Sequence, residues 1–354
     1  MTKVLMKGNE AVGAAAIAAG CKYFFGYPIT PQSEVPEYLS RELPKIGGVF
    51  VQAESEVAAI NMVYGASGSG ARVMTSSSSP GIALKQEGIS YLAGAELPCI
   101  IVDMARGGPG LGSIQAAQGD YFLATRGGGN GDYRLIVLAP ANVQELVDLI
   151  IDGFDLADLY RTPVMILGDG MIGQMMEPVE FKERPEKDLP VKDWATVGTG
   201  GKRKPNIINS LFLEAELLEK HNHNLQAKFA RIRENEKRVE TYNIEDADLV
   251  ISAYGTTSRI AKTAISKLEK EGYKIGMIRP ISLYPFPNEA FEKINPACKG
   301  VLTVEMSAGG QMIDDVRLSL NGSMPTYYHG RSGGMVPTPE EIANKVKEIL
   351  GGDK

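Results

Sequence analysis

The chain has 354 residues, a net charge of −6, a pI near 5.4 and 44% hydrophobic residues, which predicts two domains with real cores. The net negative charge argues against nucleic-acid binding, and so does the lack of a basic patch interleaved with aromatic residues. No apolar run approaches the length of a membrane span, and the N-terminal stretch MTKVLMKGNEAVG lacks the apolar core of a signal peptide, so we expect a cytoplasmic protein.

The cysteines and histidines are few and scattered. Cys21, Cys99 and Cys298 form no CxxC pair, and we interpret them as buried thiols in a reducing compartment. They cannot alone ligate an iron–sulfur cluster, so any such centre is expected on another chain. His221 and His223 are predicted to lie on a solvated face, and a mechanism driven by histidine is disfavoured.

The first elements lead to a turn that carries a threonine. The alanine-rich segment 9–19 is predicted to be a helix ended by Gly20, and residues 22–26 a strand. Pro31 suits a first helical position, which would make Thr30 the N-cap of the next helix. Thr30 is then either a plain cap or a ligand contact at a strand-to-helix turn.

A second junction of the same kind carries a glutamate. Residues 49–51 are predicted to be a buried strand, and Ser55 the N-cap of the helix that Glu56 opens. In open α/β sheets, ligands bind where a strand ends and a helix begins. Glu56 either serves such a site or only complements the helix dipole.

Serines follow the next predicted strand, residues 72–74. The run 76–80 is interpreted as a polar turn, with Ser79 as the N-cap and Pro80 at the first position of the following helix. These serines either line a ligand site or form a plain turn.

An arginine stands at the end of the strand predicted over residues 99–104. Arg106 opens the glycine-rich turn RGGPGLG and is expected at the carboxyl edge of the sheet. Its fixed fork of donors suits a carboxylate, although a structural ion pair is the alternative.

The alternation of strands and helices continues beyond this turn. We predict a strand at 135–138, a helix at 143–159 capped by Asn142, and a strand at 164–167. The alternation favours a doubly wound, mostly parallel α/β sheet. The GDG at 168–170 is interpreted as a loop after a strand.

The second half of the chain begins with a charged, proline-containing linker at 181–205, followed by one long amphipathic helix over 211–239. A second α/β unit starts at residue 248, and in it Glu305 either caps a helix, forms an ion pair or touches a ligand. We therefore divide the chain into a first domain at 1–180, a connecting segment at 181–245 and a second domain at 246–354.

Several motifs together resemble one family. GYPITP, QAESEVAA and RGGPGLGSIQAAQGDYF are similar to the pyrimidine-domain (alpha-type) subunits of 2-oxoacid:ferredoxin oxidoreductases, and the last motif to the branched-chain type that uses 2-ketoisovalerate. SAYGTTSRIAKTAI and VLTVEMSAGGQM resemble the transketolase C-terminal-like domain of that family.

The resemblance implies roles for individual residues. Glu56 would bond the aminopyrimidine nitrogen of thiamine diphosphate and so activate the cofactor, with Glu54 as the competing candidate. Pro28 and Ile29 would contact the cofactor, and Thr30 with Arg106 would hold the substrate carboxylate. No metal ligand is assigned to this chain.

The resemblance also implies partners and a reaction. In thiamine enzymes a GDG followed about thirty residues later by Asn binds the diphosphate, but here the next Asn is Asn206, beyond the linker. The diphosphate, Mg²⁺ and [4Fe-4S] clusters would therefore belong to partner chains: a beta-type subunit, an iron–sulfur subunit and another small subunit. The reaction would be oxidative decarboxylation, with electrons passing to ferredoxin and the acyl group to coenzyme A.

Two rival interpretations stay open. One is a 2-oxoglutarate or pyruvate ferredoxin oxidoreductase of the same architecture. The other is a non-catalytic α/β scaffold subunit in which Glu56 and Arg106 are structural.

Overall fold

The computed structural model describes residues 3–182, 184–185 and 187–351. Residues 183 and 186 of the predicted linker and residues 352–354 of the predicted second domain lie outside this part. The strands are β1 Val4–Lys7, β2 Tyr23–Gly26, β3 Val49–Gln52, β4 Val73–Ser77, β5 Cys99–Ala105, β6 Ile136–Leu138, β7 Pro163–Asp169, β8 Met176–Val179, β9 Val239–Tyr242, β10 Leu249–Ser252, β11 Ile275–Pro280, β12 Ser282–Tyr284, β13 Val301–Glu305 and β14 Thr326–Gly330. The α-helices are α1 Gly8–Ala18, α2 Glu34–Glu42, α3 Glu56–Gly68, α4 Ser79–Gly94, α5 Tyr121–Thr125, α6 Val143–Tyr160, α7 Gly170–Gln174, α8 Ala215–Asn235, α9 Gly255–Lys270, α10 Met312–Leu320 and α11 Pro339–Leu350.

The first sheet has the strand order β12-β6-β7-β5-β4-β2-β3 and is parallel except for β12. Its inner strands β5 and β7 are buried along their whole length, as expected for a parallel sheet covered by helices. β3 is an edge strand and stays half exposed, so the prediction of a buried strand at 49–51 is wrong about burial.

The second sheet has the order β14-β13-β10-β11-β9, with only β9 antiparallel to its neighbour. α9 and α11 pack against each other over a core of Leu249, Ile251, Ile275 and Val304. The predicted long helix over 211–239 is too long: α8 ends at Asn235, and Val239 pairs with Pro280 in the sheet. Strand pairing has taken precedence over the helical spacing of the apolar residues.

The two sheets are joined through shared structure. β12 comes from the second half of the chain but pairs with β6 at the edge of the first sheet. Arg279 binds both carboxylate oxygens of Glu145 across the same boundary, at 2.8 and 2.9 Å. The division into 1–180, 181–245 and 246–354 stays a prediction, and β9 belongs by its pairing to the second sheet.

The fold class predicted from the sequence is confirmed: the chain builds two mostly parallel α/β sheets. The short strands β1, β8, β12 and β14 were not predicted, because three to five residues carry too little periodicity. A 3₁₀ helix at Asn288–Lys293 lies between β12 and β13.

Candidate functional site

Glu56 lies just beyond the carboxyl end of β3, where α3 begins. As predicted, Ser55 is the N-cap, and its hydroxyl accepts from the Ala58 amide at 3.1 Å. Glu56 is only 6% exposed, whereas Glu54 is exposed. No residue in the described part of the chain donates a hydrogen bond to the Glu56 carboxyl, so its oxygens keep their capacity to accept from a bound group.

The first turn of α4 lies very close to Glu56. A Cβ on Gly81 would stand 2.7 Å from Glu56 Oε1 and 2.1 Å from Ser77 Oγ, so only glycine allows this approach. The Ser77 hydroxyl is buried, and within the described residues it has no hydrogen-bond partner. The Glu56 carboxyl therefore lies in a narrow, mostly enclosed space with unused polar capacity beside it.

The polar residues beneath this space come from β4 and α4. Ser76 and Ser77, predicted to lie in a turn, are the last residues of β4, and Ser78 rather than Ser79 is the N-cap of α4. Lys85, fully buried one turn after Gly81, donates from Nζ to Thr75 Oγ1 at 2.7 Å and to the Ser76 carbonyl at 3.2 Å. Burial lowers the pKa of Lys85 to about 7, against the opposing effect of the Glu56 and Asp103 carboxyls.

Arg106 directly follows the last residue of β5, as predicted, and its side chain is buried, with 8% exposure. Nη1 donates to the Thr30 carbonyl at 2.9 Å and Nη2 to the Leu111 carbonyl at 3.1 Å. Among the described residues no carboxylate forms an ion pair with Arg106, and its buried Nε has no partner. The structural ion pair considered from the sequence is therefore not present in that part, and the guanidinium keeps a donor for an anion.

The GYPITP turn lies beside Arg106. Thr30 and Pro28 are exposed and Ile29 is half-buried. The prediction that Thr30 caps a helix is wrong: α2 begins three residues after Pro31, with Ser33 at its N-cap position. The chain first turns back, because the Gln32 amide donates to the Ile29 carbonyl at 3.1 Å.

A cavity of about 560 Å³ opens next to Thr30. Residues from both halves of the chain line it, and no residue of the described lining carries a charge. Its walls are largely apolar and are formed by Thr30, Pro31, Ile114, Gln115, Ala116, Gly170, Met171, Gln174, Met175, Gly334 and Val336.

Buried Asp103 and half-buried Asp120 fix the Arg106 backbone to α4 through Ser79. The Arg106 amide donates to Ser79 Oγ at 2.9 Å, and the Ser79 hydroxyl donates to the Asp120 carboxylate. The Ser79 amide in turn donates to Asp103 Oδ1 at 3.2 Å. Burial raises the pKa of Asp103 well above its ordinary value, and the adjacent Asp120 raises it further. Through Ser79 and Gly81, the start of α4 contacts both Arg106 and Glu56.

Other residues singled out in the sequence have structural partners. Glu305 caps α10, accepting from the amides of Gln311, Met312 and Ile313 at 2.9 to 3.1 Å. The GDG is not a loop: Asp169 ends β7 and caps α7 through the amides of Met171 and Ile172.

His221 and His223 were both predicted to lie on a solvated face of α8, and this prediction is wrong for His221. His221 stacks on Phe212 and contacts the Gly94 carbonyl at 2.7 Å. His223 is exposed.

Three broader features concern the described part of the chain. Within residues 3–182, 184–185 and 187–351, no three His, Cys, Asp or Glu side chains converge in a group able to hold a metal ion. Over the same residues, no helix combines the length and apolarity needed to span a bilayer. Cys21, Cys99 and Cys298 are buried free thiols, as predicted.

The mostly parallel first sheet thus carries a buried glutamate at a strand-to-helix junction and a buried arginine directly after its central strand. The family profile "Pyruvate flavodoxin/ferredoxin oxidoreductase, thiamine diP-bdg" matches residues 14–242, and "Pyruvate:ferredoxin oxidoreductase core domain II" matches residues 247–342. The chain belongs to this family, as its motifs predicted.

Individual relatives agree with this assignment. The chain is 49% identical over 351 residues to the ketoisovalerate oxidoreductase subunit VorB of Methanothermobacter marburgensis, covering 99% of each. It is 35% identical over 365 residues to the 2-oxoglutarate synthase subunit KorA of Methanocaldococcus jannaschii, covering 96% of this chain and 98% of that one.

The fold recurs in solved structures. A 2-oxoglutarate:ferredoxin oxidoreductase from Magnetococcus marinus, with 2-oxoglutarate, coenzyme A and succinyl-CoA bound, is 32% identical with a TM-score of 0.86. The match covers 99% of this chain but only 65% of that chain, so this chain spans part of the larger protein. A split-gene transketolase, 15% identical with a TM-score of 0.60, supports the fold alone.

Proposed function

We propose that this chain is the pyrimidine-binding, alpha-type subunit of a 2-oxoacid:ferredoxin oxidoreductase that acts on branched-chain 2-oxoacids such as 2-ketoisovalerate. The observation that carries the proposal is the buried Glu56 carboxyl without a described hydrogen-bond donor, tied through the first turn of α4 to Arg106. The 49% identity to a ketoisovalerate oxidoreductase subunit supports the choice of substrate.

The residues around Glu56 fit the pyrimidine ring of thiamine diphosphate. Gly81 brings the first turn of α4 close to both side chains without a steric clash, Glu56 offers an acceptor, and Ser77 offers an unused hydroxyl. Pro28 and Ile29 stand on the neighbouring GYPITP turn and would contact the same cofactor. When bound, thiamine diphosphate supplies the electron sink for decarboxylation, while the chain supplies orientation and a proton acceptor at Glu56.

Arg106 and Thr30 would hold the carboxylate that every 2-oxoacid carries beside its reacting carbonyl. The guanidinium is already fixed by the carbonyls of Thr30 and Leu111, so little ordering is needed when a substrate binds. Arg106 Nη1 binds the Thr30 carbonyl and Thr30 lines the neighbouring cavity, so a substrate held by both residues would enter next to Thr30. The cavity beside Thr30 provides that entrance.

The same cavity would receive the far end of the substrate. Its described lining includes Ile114, Met171 and Val336 and no cation to pair with the distal carboxylate of 2-oxoglutarate. Burying an unpaired carboxylate is costly, whereas a branched alkyl group gains from apolar contact. Leu111, the apolar residue of the RGGPGLG turn, is 85% exposed and does not line this cavity.

For the assembled complex we expect kcat/KM for 2-ketoisovalerate to exceed that for 2-oxoglutarate by at least roughly tenfold, since an unpaired buried charge costs more than the ~1–3 kcal/mol of a missing methylene. Other branched 2-oxoacids should react within about 10- to 200-fold of one another. A panel of 2-oxoacids with coenzyme A and ferredoxin measures this. Preference for 2-oxoglutarate would assign the chain to the KorA-like type instead.

Residues of this chain that could bind the diphosphate or an iron–sulfur cluster have structural roles instead, so we assign those groups to partner subunits. Asp169 of the GDG caps α7, so a beta-type subunit would bind the diphosphate and Mg²⁺. An iron–sulfur subunit with [4Fe-4S] clusters and another small subunit would carry electrons to ferredoxin, because the three cysteines here are dispersed and buried. We place the complex in the cytoplasm.

The purified chain alone is therefore expected to be inactive. An assay with 2-oxoacid, coenzyme A and a low-potential dye should give no turnover until the partner subunits are added. Turnover comparable to that of the complex would contradict the assignment of the diphosphate and the clusters to partners.

A further inference from the structure

Gln118 lies in the loop between β5 and α5, and residues from the second half of the chain bind both ends of its side chain. Its Nε2 donates to the Tyr254 carbonyl at 3.0 Å, and its Oε1 accepts from the Met306 amide at 3.0 Å and from the Thr257 hydroxyl. These partners fix which end of the side-chain amide is the donor, because a carbonyl only accepts and an amide N–H only donates. Gln118 is 3% exposed, so these hydrogen bonds are buried.

The backbone around Gln118 is bound by the same half of the chain. The Gln118 amide donates to the Met306 carbonyl at 2.8 Å, and the Gln118 carbonyl accepts from the Tyr254 hydroxyl at 3.3 Å. One residue further along, the Gly119 carbonyl accepts from Gln311 Nε2 at 2.7 Å. The second half of the chain therefore holds this loop through both its side chain and its backbone.

Gln118 lies midway between two residues that support the Arg106 backbone. Two residues before it, Ala116 forms an isolated antiparallel β-bridge with Arg106. Two residues after it, Asp120 accepts from the Ser79 hydroxyl, whose oxygen accepts from the Arg106 amide at 2.9 Å. A displacement of Gln118 would therefore disturb both supports of Arg106 together.

We propose that Gln118 is a positioning residue for the substrate site: it couples the second half of the chain to Arg106 and so sets where the guanidinium meets a substrate carboxylate. The inference rests on the role proposed for Arg106. Gln118 acts through the backbone of its loop, whereas the substrate would touch Arg106 and Thr30. The cavity beside Thr30 fits this coupling, because Ala116 and Val336, from the two halves of the chain, both line it.

The first test variant is Gln118→Glu. It keeps the shape of the side chain but directs a carboxylate oxygen, instead of a donor, at the Tyr254 carbonyl. In the assembled complex we expect kcat/KM for 2-ketoisovalerate to fall about tenfold to a hundredfold, the scale of loss that a misplacement of about 1 Å causes. Thr257→Val removes only one hydrogen bond to the same side chain and should cause a smaller loss of roughly two- to tenfold.

Deuterium exchange at the thiazolium C2 of thiamine diphosphate, measured in the complex without substrate, distinguishes positioning from general damage to the structure. This exchange depends on cofactor activation at Glu56 and not on the substrate carboxylate. In both variants it should stay within about twofold of the unaltered complex. The reason is that the start of α4 stays bonded to β5 through the Ser78 hydroxyl, which donates to the Met104 carbonyl at 2.7 Å.

Arg279→Met is the matched control for a weaker boundary between the two halves of the chain. Arg279 is 6% exposed and binds Glu145 across that boundary, and in the part of the chain that the structure describes neither residue bonds to Gln118 or Asp120. Its loss should lower the melting temperature and leave both kcat/KM and C2 exchange within about twofold of the unaltered complex.

The outcomes separate this inference from the proposed function. If Arg106→Ala lowers kcat/KM while Gln118→Glu and Thr257→Val keep it near normal, Gln118 has no positioning role and the role of Arg106 stands. If Arg106→Ala itself keeps a normal kcat/KM, the role proposed for Arg106 is wrong.

A merely structural role for Gln118 gives a different pattern. C2 exchange that falls in step with kcat/KM, or an equal loss of kcat/KM in Arg279→Met, would overturn the inference. Where Gln118→Glu fails to assemble, Thr257→Val decides: a loss of kcat/KM with normal C2 exchange supports the inference, and a normal kcat/KM overturns it.

Discussion

Glu56→Gln is expected to lower the kcat of the assembled complex about 10²- to 10⁴-fold, the usual range for loss of a general acid–base group. The amide keeps the shape of the side chain at the start of α3 but can no longer take up or share a proton. Because Glu56 has no described hydrogen-bond donor to lose, the fold should change little. Steady-state kinetics with 2-ketoisovalerate, beside a thermal melt of the same preparation, measure both quantities.

The control for Glu56→Gln is Glu54→Gln. Glu54 precedes the helix by two residues and is exposed, so its amide variant should keep activity within about twofold of normal. The reverse result, with Glu54 needed and Glu56 dispensable, would mean that the wrong carboxyl has been assigned. Near-normal rates in both variants would favour the non-catalytic scaffold.

The strand-to-helix junctions could be predicted from the sequence because each depends on local signals. Ser55 and Asn142 accept from amides three residues ahead, as their positions before apolar periodic segments indicated. Prediction failed where tertiary pairing decides the local structure. Val239 continues a helical stripe but is held in a strand by β11, and β12 joins the sheet of the other half of the chain.

The candidate site could be predicted only in part. Glu56, Arg106 and the GYPITP turn were found through motifs, and the structure brings Arg106 into contact with the Thr30 carbonyl. The role expected for Thr30 as a cap was wrong, since a proline in the next position suits turns as well as helix starts. Lys85 was missed because nothing in ALKQEG shows that its side chain points inward.

The acidic pair Asp103 and Asp120 was missed for a similar reason. Asp103 lies within an apolar strand and Asp120 in a loop seventeen residues later, and only the fold places both against Ser79. Their spacing matches no periodic template. Contacts between segments far apart in sequence therefore account for most of what sequence reasoning could not supply.

Arg106→Ala is expected to lower kcat/KM for every 2-oxoacid alike, because the guanidinium binds the carboxylate that all of them share. Removing one partner of a buried, hydrogen-bonded charge pair costs roughly 2–5 kcal/mol, which corresponds to a loss of about thirtyfold to several thousandfold. The variant also frees the carbonyls of Thr30 and Leu111, so loop order should be checked by a thermal melt. Kinetics with 2-ketoisovalerate and a second branched acid measure the loss.

Arg106→Lys separates charge from geometry. A lysine keeps a positive charge but lacks the planar fork that reaches the Thr30 and Leu111 carbonyls together, so we expect activity between the alanine variant and the unaltered complex. If the alanine variant is impaired for one substrate only, Arg106 contacts the variable end of the substrate rather than its carboxylate. The cavity beside Thr30 would then hold the common end, and the orientation proposed for the substrate would be reversed.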